Sequence, residues 1–489
     1  MARVYSLLVS AAFVVLALLS PDADSTLVLA ATARTSTTST ATSAATSKTK
    51  AQRATGARQN VFVTLKSGTG NVMSGLKSQA FTSRSAKVSA MRDGLISNAQ
   101  TSQRAVFDAL NTAGGASKDG AFTKSESLWV TNQVYVQGAT KALITQLSAL
   151  PDVQSVTDEK IFPLTYPVMT TAAVAATMAT TTAQWGVTRI NAPAVWDKGY
   201  KGTNVVVGVI DTGALYTHTA ISGSYRGNSY GWFDPEGKSL TPYDVNGHGT
   251  HVVGTIAGSN GMGVAPDAKW IMCKGCRADG CWASDLLMCF QFMLCPTLPD
   301  GTKPDCTKLA KIVNNSWGGG QGDPTFNDVM LKWRTAGIIP VVAAGNTGST
   351  CGTITTPGDY PNVISVGATD VNDKLASFSS KGPTVGGLLK PDISAPGSLV
   401  LSSCYTSTTA VCFKSGTSMA APHVSGAIAL LLSAKPGLSF DAILKLIQTR
   451  AITASLSKAT GYTCAGTADA VFPNNQYGYG RIDILNMLA

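Results

Sequence analysis

Residues 205–213 read V-V-V-G-V-I-D-T-G. Apolar residues and one glycine run without a break and then meet an acid. A strand with one wet face would alternate apolar and polar positions. An unbroken run is the pattern of a strand buried on both faces, as in a parallel sheet covered by helices.

The same pattern returns at Trp270-Ile271-Met272, Ile312-Val313, Ile338-Ile339-Pro340-Val341-Val342 and Val363-Ile364-Ser365-Val366. Apolar residues at helical spacing fill the gaps at 284–294 and 325–336, and recur at 417–434 and 440–451. This alternation predicts an α/β fold with a doubly wound, mostly parallel sheet flanked by helices. Such sheets build their sites at the carboxyl ends of strands. Asp211 lies at one such end. Asn346 lies at another, closing V-V-A-A-G-N at 341–346. A lone D-T-G is a weak signal, because an Asp after a strand also serves as a turn or cap residue.

Residues 246–252, N-G-H-G-T-H-V, bring His248 and His251 to one helix face. The pair could ligate a metal, but H-E-x-x-H is absent and no third ligand accompanies it. Residues 415–426, S-G-T-S-M-A-A-P-H-V-S-G, open a long apolar helix. Free N–H groups at its N-terminus favour developing negative charge, which suits Ser418 as a nucleophile. A step of five residues puts His423 about 140° round the helix from Ser418. His423 is therefore expected to point away and to be structural, as is His251. His218 has no supporting motif and is expected at the surface.

The chain has 489 residues, more than one ordinary domain needs, and 44% are apolar, enough for a large core. The net charge is +10, but residues 1–165 hold 16 Lys and Arg against 9 Asp and Glu, leaving +3 for the rest. No basic patch with interleaved aromatics occurs, so no nucleic-acid partner is expected. All ten cysteines lie between Cys273 and Cys464. An even count suits disulfides in an exported protein, and Cys404 with Cys412 could close a hairpin. Cys273-x-x-Cys276 could be half a zinc site, but no second half follows at the right spacing.

The N-terminus reads as an export signal over 1–25, with Arg3 before an apolar run at 6–20 and small residues at 23–25. An uncleaved anchor is the alternative. No other stretch looks long and apolar enough to span a bilayer, so no membrane partner is expected after cleavage. Residues 26–58 are rich in Ala, Ser and Thr and read as a disordered spacer. Strands at 60–65, 134–137 and 153–156, with a helix at 139–149, predict a small α+β domain over 59–166. The low-complexity stretch within 167–183 reads as a cleavable linker, followed by a large domain at 184–489.

Four blocks now stand in order: V-I-D-T-G, G-H-G-T-H-V, A-A-G-N and G-T-S-M-A-A-P-H-V-S-G. Together they resemble the signature blocks of the subtilisin-like serine proteases, and 312–320, 368–370 and 390–397 resemble the bacillopeptidase F branch most. The likeness covers about 184–489, and 59–166 resembles, more loosely, the inhibitory propeptide of these enzymes. The resemblance implies Ser418 as nucleophile, His248 as general base and Asp211 as the residue that orients His248. It implies Asn346 and the Ser418 backbone N–H as oxyanion donors. Ser316, Trp317, Gly318 and Gly319 are implied to line the cleft and pair with substrate backbone. The implied protein is a secreted, monomeric serine endopeptidase acting on proteins or peptides and made as a zymogen. Its own propeptide would be its inhibitor, with self-cleavage near Tyr166 and trimming up to about Ala183. No cofactor is implied for catalysis. A structural calcium is a family feature, but the loop 258–264 looks shortened and lacks a carboxylate. The rivals are a catalytically silent binding protein on the same scaffold and a narrow processing protease with an acidic cleft.

Overall fold

The computed structural model describes residues 58–117, 120–164, 183–458 and 461–489. The expected signal, nearly all of the spacer, Tyr166 and the linker core lie outside them. The described residues form one compact unit.

Its N-terminal part runs β1 (Gln59–Leu65), α1 (Gly70–Lys77), α2 (Arg84–Ser102), α3 (Arg104–Thr112), β2 (Lys124–Leu128), β3 (Gln133–Ala139), α4 (Lys141–Ser148), β4 (Val153–Asp158) and β5 (Ile161–Phe162). The first four strands form an antiparallel sheet in the order β2-β3-β1-β4. Val61, Val63, Val134 and Val136 pack on Val106, Leu110, Leu143 and Leu147 to make a core of their own. This is the expected α+β domain.

The larger part runs α5 (Trp185–Arg189), α6 (Ala192–Trp196), β6 (Val206–Asp211), β7 (Trp232–Phe233), α7 (His248–Ala257), β8 (Lys269–Lys274), β9 (Cys281–Trp282), α8 (Ala283–Leu294), β10 (Ile312–Asn315), α9 (Asn327–Thr335) and β11 (Ile339–Ala343). It continues with β12 (Ile364–Thr369), β13 (Ile393–Pro396), β14 (Val400–Ser403), β15 (Val411–Lys414), α10 (Thr417–Ala434), α11 (Phe440–Arg450) and α12 (Ile484–Leu488). Seven strands form one sheet in the order β13-β12-β11-β10-β6-β8-β7, and every pairing in it is parallel. The chain leaves β6 toward β8 on one side and returns to β10 on the other. Strand order reverses there, which opens a crevice at the carboxyl ends of β6 and β10.

Both faces of this sheet are dry, which explains the unbroken apolar runs. Successive side chains alternate between them. Val207, Val209, Ile312, Val341 and Val366 face α7 and α10. Ile210, Ile271, Val313 and Val342 face α8 and α9. Gly208 in β6 lets α8 approach, since a Cβ there would come within 2.5 Å of Met293 Sδ. α10 is 18 residues long and apolar enough to cross a membrane, yet it lies buried in this core.

Four disulfides are closed: Cys273–Cys289, Cys276–Cys281, Cys295–Cys306 and Cys351–Cys464. Both members of the Cys273-x-x-Cys276 pair are thus disulfide-bonded. Cys404 and Cys412 sit on the β14–β15 hairpin as thiols.

Candidate active site

Asp211 ends β6, and its Oδ1 accepts a bond from the Thr212 N–H at 2.8 Å. His248 begins α7 one crossover later. Asp244 fixes that helix start by filling its unpaired N–H groups. Asp244 Oδ1 accepts from Asn246 N at 3.0 Å and Gly247 N at 2.7 Å, while Oδ2 accepts from Thr250 N at 2.9 Å. Gly249 lets the first turn press on the Asp211 loop, because a Cβ there would lie 2.1 Å from the Gly213 carbonyl oxygen. His248 Nδ1 consequently meets Asp211 Oδ1 at 2.8 Å, with both residues buried. A proton on Nδ1 leaves Nε2 as the basic nitrogen.

Ser418 stands in the first turn of α10. Pro422, four residues on, lacks the N–H that would bond the Ser418 carbonyl. Ser316 Oγ takes that carbonyl instead, at 2.9 Å, and Ser418 Oγ donates back to the Ser316 carbonyl at 3.0 Å. Ser425 Oγ donates to Asn314 Oδ1 at 2.9 Å, a second tie between α10 and β10. These bonds dock the helix on the end of β10, beside the end of β6. Asn346 follows β11. Its Oδ1 accepts from Thr417 N at 2.8 Å and Thr417 Oγ1 at 2.9 Å, so the amide end carries its donors.

His248, Ser316, Trp317, Gly318, Asn346 and Ser418 line one pocket, and Leu164 lines it too. Asp211, expected with them, lies behind His248. Gly319 sits just beyond, where a Cβ would come within 2.9 Å of Pro163 Cδ. Trp317 is only 3% exposed, its indole lodged against Phe290, Phe326 and Phe162.

The segment 159–164 of the N-terminal domain runs into this cleft. β5 pairs antiparallel with β9, Ile161 with Trp282 and Phe162 with Cys281. Glu159 Oε1 accepts from Ser284 N at 3.0 Å in the first turn of α8. The sequence reading missed β9 as a lining strand, since Cys281-Trp282 is too short to carry a period.

The other histidines lie apart from Ser418. His423 Nδ1 donates to the Met419 carbonyl at 2.8 Å, and burial pushes its pKa down to about 4. His251 Nε2 donates to the Val400 and Cys412 carbonyls at 3.0 and 3.1 Å, and burial, then Lys414, holds its pKa well below the usual value. His218 corrects an expectation, being fully buried rather than superficial. Its Nε2 bonds the Ala410 carbonyl at 2.7 Å and its Nδ1 accepts from Ala220 N at 3.1 Å. Both partners are backbone groups, one of them 192 residues away, so no local motif announces the site.

Among the described residues no cluster of His, Cys, Asp and Glu is placed to hold a metal ion. The loop 258–264 is closed by its own backbone, with Gly263 N bonded to Gly258 O at 2.9 Å.

A parallel sheet with a histidine–carboxylate pair and a helix-borne serine at its switch point defines a class of serine-type hydrolase. Comparison with known proteins is more specific. The subtilase-family profile matches residues 202–480. Bacillopeptidase F of Bacillus subtilis (strain 168) is 36% identical over 430 residues, covering 82% of this chain but 29% of that protein's length. Subtilisin DY of Bacillus licheniformis is 36% identical over 276 residues, covering 55% of this chain and 92% of that protein. Subtilisin BL of Lederbergia lenta is 38% identical over 259 residues, covering 52% and 86%. The chain belongs to the subtilase family, whose class is serine-type endopeptidase.

Proposed function

We propose that this chain is a secreted endopeptidase, made as a self-processing zymogen, with Ser418 as nucleophile. The observation that carries the reading is the 2.8 Å His248–Asp211 bond on the wall of the pocket that Ser418 lines. In the described state the Ser418 hydroxyl donates to Ser316 O. A hydroxyl has one proton to give, so turnover requires Oγ to swing toward His248 Nε2. His248 then takes the proton as Oγ attacks the scissile carbonyl. Asp211 stabilises the imidazolium that forms. Asn346 and the Ser418 N–H bind the oxyanion. His248 returns the proton to the leaving amine, and water releases the acyl group by the same route.

The N-terminal domain is proposed as the inhibitor. Support comes from Leu164, which already lines the pocket, and from the β5–β9 pairing that leads to it. Cleavage near Tyr166 would free the domain. Among the described residues no acid lines the pocket, which favours broad or apolar preference over a processing protease for basic sites. The mature enzyme is proposed to act as a monomer without cofactor. Disulfides take the place of calcium as its stabilising device, so EDTA should leave its Tm unchanged. A sharp drop in Tm with EDTA would sink that part.

The test is the full-length precursor beside Ser418→Ala, followed by gel and mass spectrometry. The wild type should shorten and the variant should stay long, with turnover on a peptide reduced by about 10⁶-fold. Equal shortening of both would assign the cut to another protease and remove the self-processing claim.

A further inference from the structure

Eight of the ten cysteines are bonded in the structure, and the remaining two share one hairpin. Cys412 pairs in register with Ser402, and Ser403 with Val411. Cys404 N then bonds the Ala410 carbonyl at 2.8 Å. Cys404 and Cys412 are therefore diagonal neighbours on one face of the ladder. Each thiol is the first influence on the other's titration, which places the two side by side. Both are half-exposed, whereas seven of the eight bonded cysteines are buried. A reagent in solution reaches this pair first.

The hairpin is bolted to the helix that carries His248. Ser402 Oγ donates to the His251 carbonyl at 2.9 Å and Ser403 Oγ to the Thr250 carbonyl at 2.7 Å. Lys414 Nζ donates to the Gly247 carbonyl at 2.9 Å. The Tyr405 ring covers Gly247 so closely that a Cβ there would lie 2.1 Å from Cδ1. Three residues past Lys414 the chain enters α10 and reaches Ser418. One small hairpin thus sets both the base helix and the approach to the nucleophile.

We propose that Cys404 and Cys412 are a thiol–disulfide modification site, closed by exchange with a low-molecular-weight disulfide, and that closure locks the hairpin against the His248 helix. Cys404 is the first nucleophile. The neighbouring Cys412 thiol, then Thr406, hold the Cys404 thiol below its ordinary range, while Cys404, then burial, push Cys412 up. The Cys404 thiolate attacks one sulfur of the external disulfide and displaces one thiolate. Cys412 gives its proton to solvent, attacks the mixed disulfide at the Cys404 sulfur and displaces the second. The protein loses two hydrogens, and one small disulfide becomes two thiols. The bond itself stands apart from the proposed peptidase reading; its effect on turnover rests on that reading.

The experiment uses full-length Ser418→Ala, which cannot digest itself, held in excess reduced or oxidised glutathione. Iodoacetamide is added under native conditions and peptides are mapped by mass. Label should appear at Cys404 and Cys412 only after reduced glutathione, and a cross-linked pair 2 Da lighter after oxidised glutathione. Label persisting on both, or glutathione held on one without a cross-link, would overturn the site. Mature wild type is then compared in both buffers. Closing a loop of this length should raise Tm by roughly 3–6 °C, and turnover should rise about threefold or more. Cys404→Ser with Cys412→Ser should respond to neither buffer. A bond that closes with turnover unchanged overturns the locking of the His248 helix. No turnover in either state would defeat the peptidase reading, while the mass map still decides the bond.

Discussion

The two faces of the seven-stranded sheet are equally apolar and equally dry, yet they are used differently. One face packs on α7 and α10, the helices that begin with His248 and with the Thr417-Ser418 pair. It is filled entirely by the large domain. The other face packs on α8 and α9, and its core continues into the N-terminal domain through Phe62, Leu76, Met91 and Tyr135. Under the proposed reading, chemistry is mounted on the face whose packing is self-contained. Control, under the proposed reading, is mounted on the face that shares its core with a separable part. Among the described residues the two meet at the rim, where residues 160–164 pass from α8 toward the pocket.

This division can be broken first on the chemical face. Under the proposed reading, Asn346→Ala removes one oxyanion donor. Turnover of the mature enzyme should fall by about 10²–10³-fold with KM little changed. Undiminished turnover would refute the assigned role. A rise in KM alone would mean that Asn346 binds ground-state substrate rather than the oxyanion.

How much of this was legible follows from the same contrast. β6, β8, β10, β11 and β12 were readable because burial on both faces leaves unbroken apolar runs. α10 matched its expected limits because its apolar pattern is long and Pro422 falls in its first turns. β13 was missed, flanked as it is by Pro391 and closed by Pro396. The β14–β15 hairpin was hinted at only by its two cysteines. Asp211, His248, Ser418 and Asn346 were recognisable as residues, but the ties between them are tertiary. Asp244 is an example: its carboxylate serves four donors on α7 and its lead-in, yet in sequence it is one more acid in a polar loop. The disulfide pairing was equally invisible, since spacing alone does not choose partners.

On the other face the sharper test is Arg84. It opens α2, and its guanidinium donates to the Ala336 carbonyl at 2.7 Å and the Ala310 carbonyl at 2.8 Å. Ala336 is the C-cap of α9, so the arginine fills orphan carbonyls and meets the negative helix end. Burial lowers its pKa to about 10, so it stays charged at neutral pH. Arg84→Ala should weaken retention of the cleaved N-terminal domain by about 10–100-fold, read as a shorter lag before activity appears. Turnover of the mature enzyme should not change. A matching fall in mature turnover would mean that the faces are coupled through the sheet.

The smallest effect per unit of pH comes from the buried histidines, and it bears on the chemical face alone. His423, His251 and His218 all have folded pKa values pushed down, in each case chiefly by burial. An unfolded histidine titrates near its ordinary value, about 6.5. Above that pH neither state carries the proton and the full stability is present. As pH falls below it, the unfolded chain takes up protons that the folded chain refuses, so stability falls. For His423, with a folded pKa of about 4, the loss is complete only near that pH and amounts to about 3 kcal/mol, or about 1.4 kcal/mol per pH unit. The Tm of Ser418→Ala should therefore decline steadily from pH 6.5 toward pH 4. His423 packs against α5, where a Cβ on Gly186 would come within 2.4 Å of its Nε2. Protonation there should loosen α5 and α10 before it disturbs the shared core under α8. Hydrogen exchange followed across that pH range would separate the two. Earlier loss of protection in α8 than in α10 would show that the face shared with the N-terminal domain, and not the chemical face, is the acid-sensitive one.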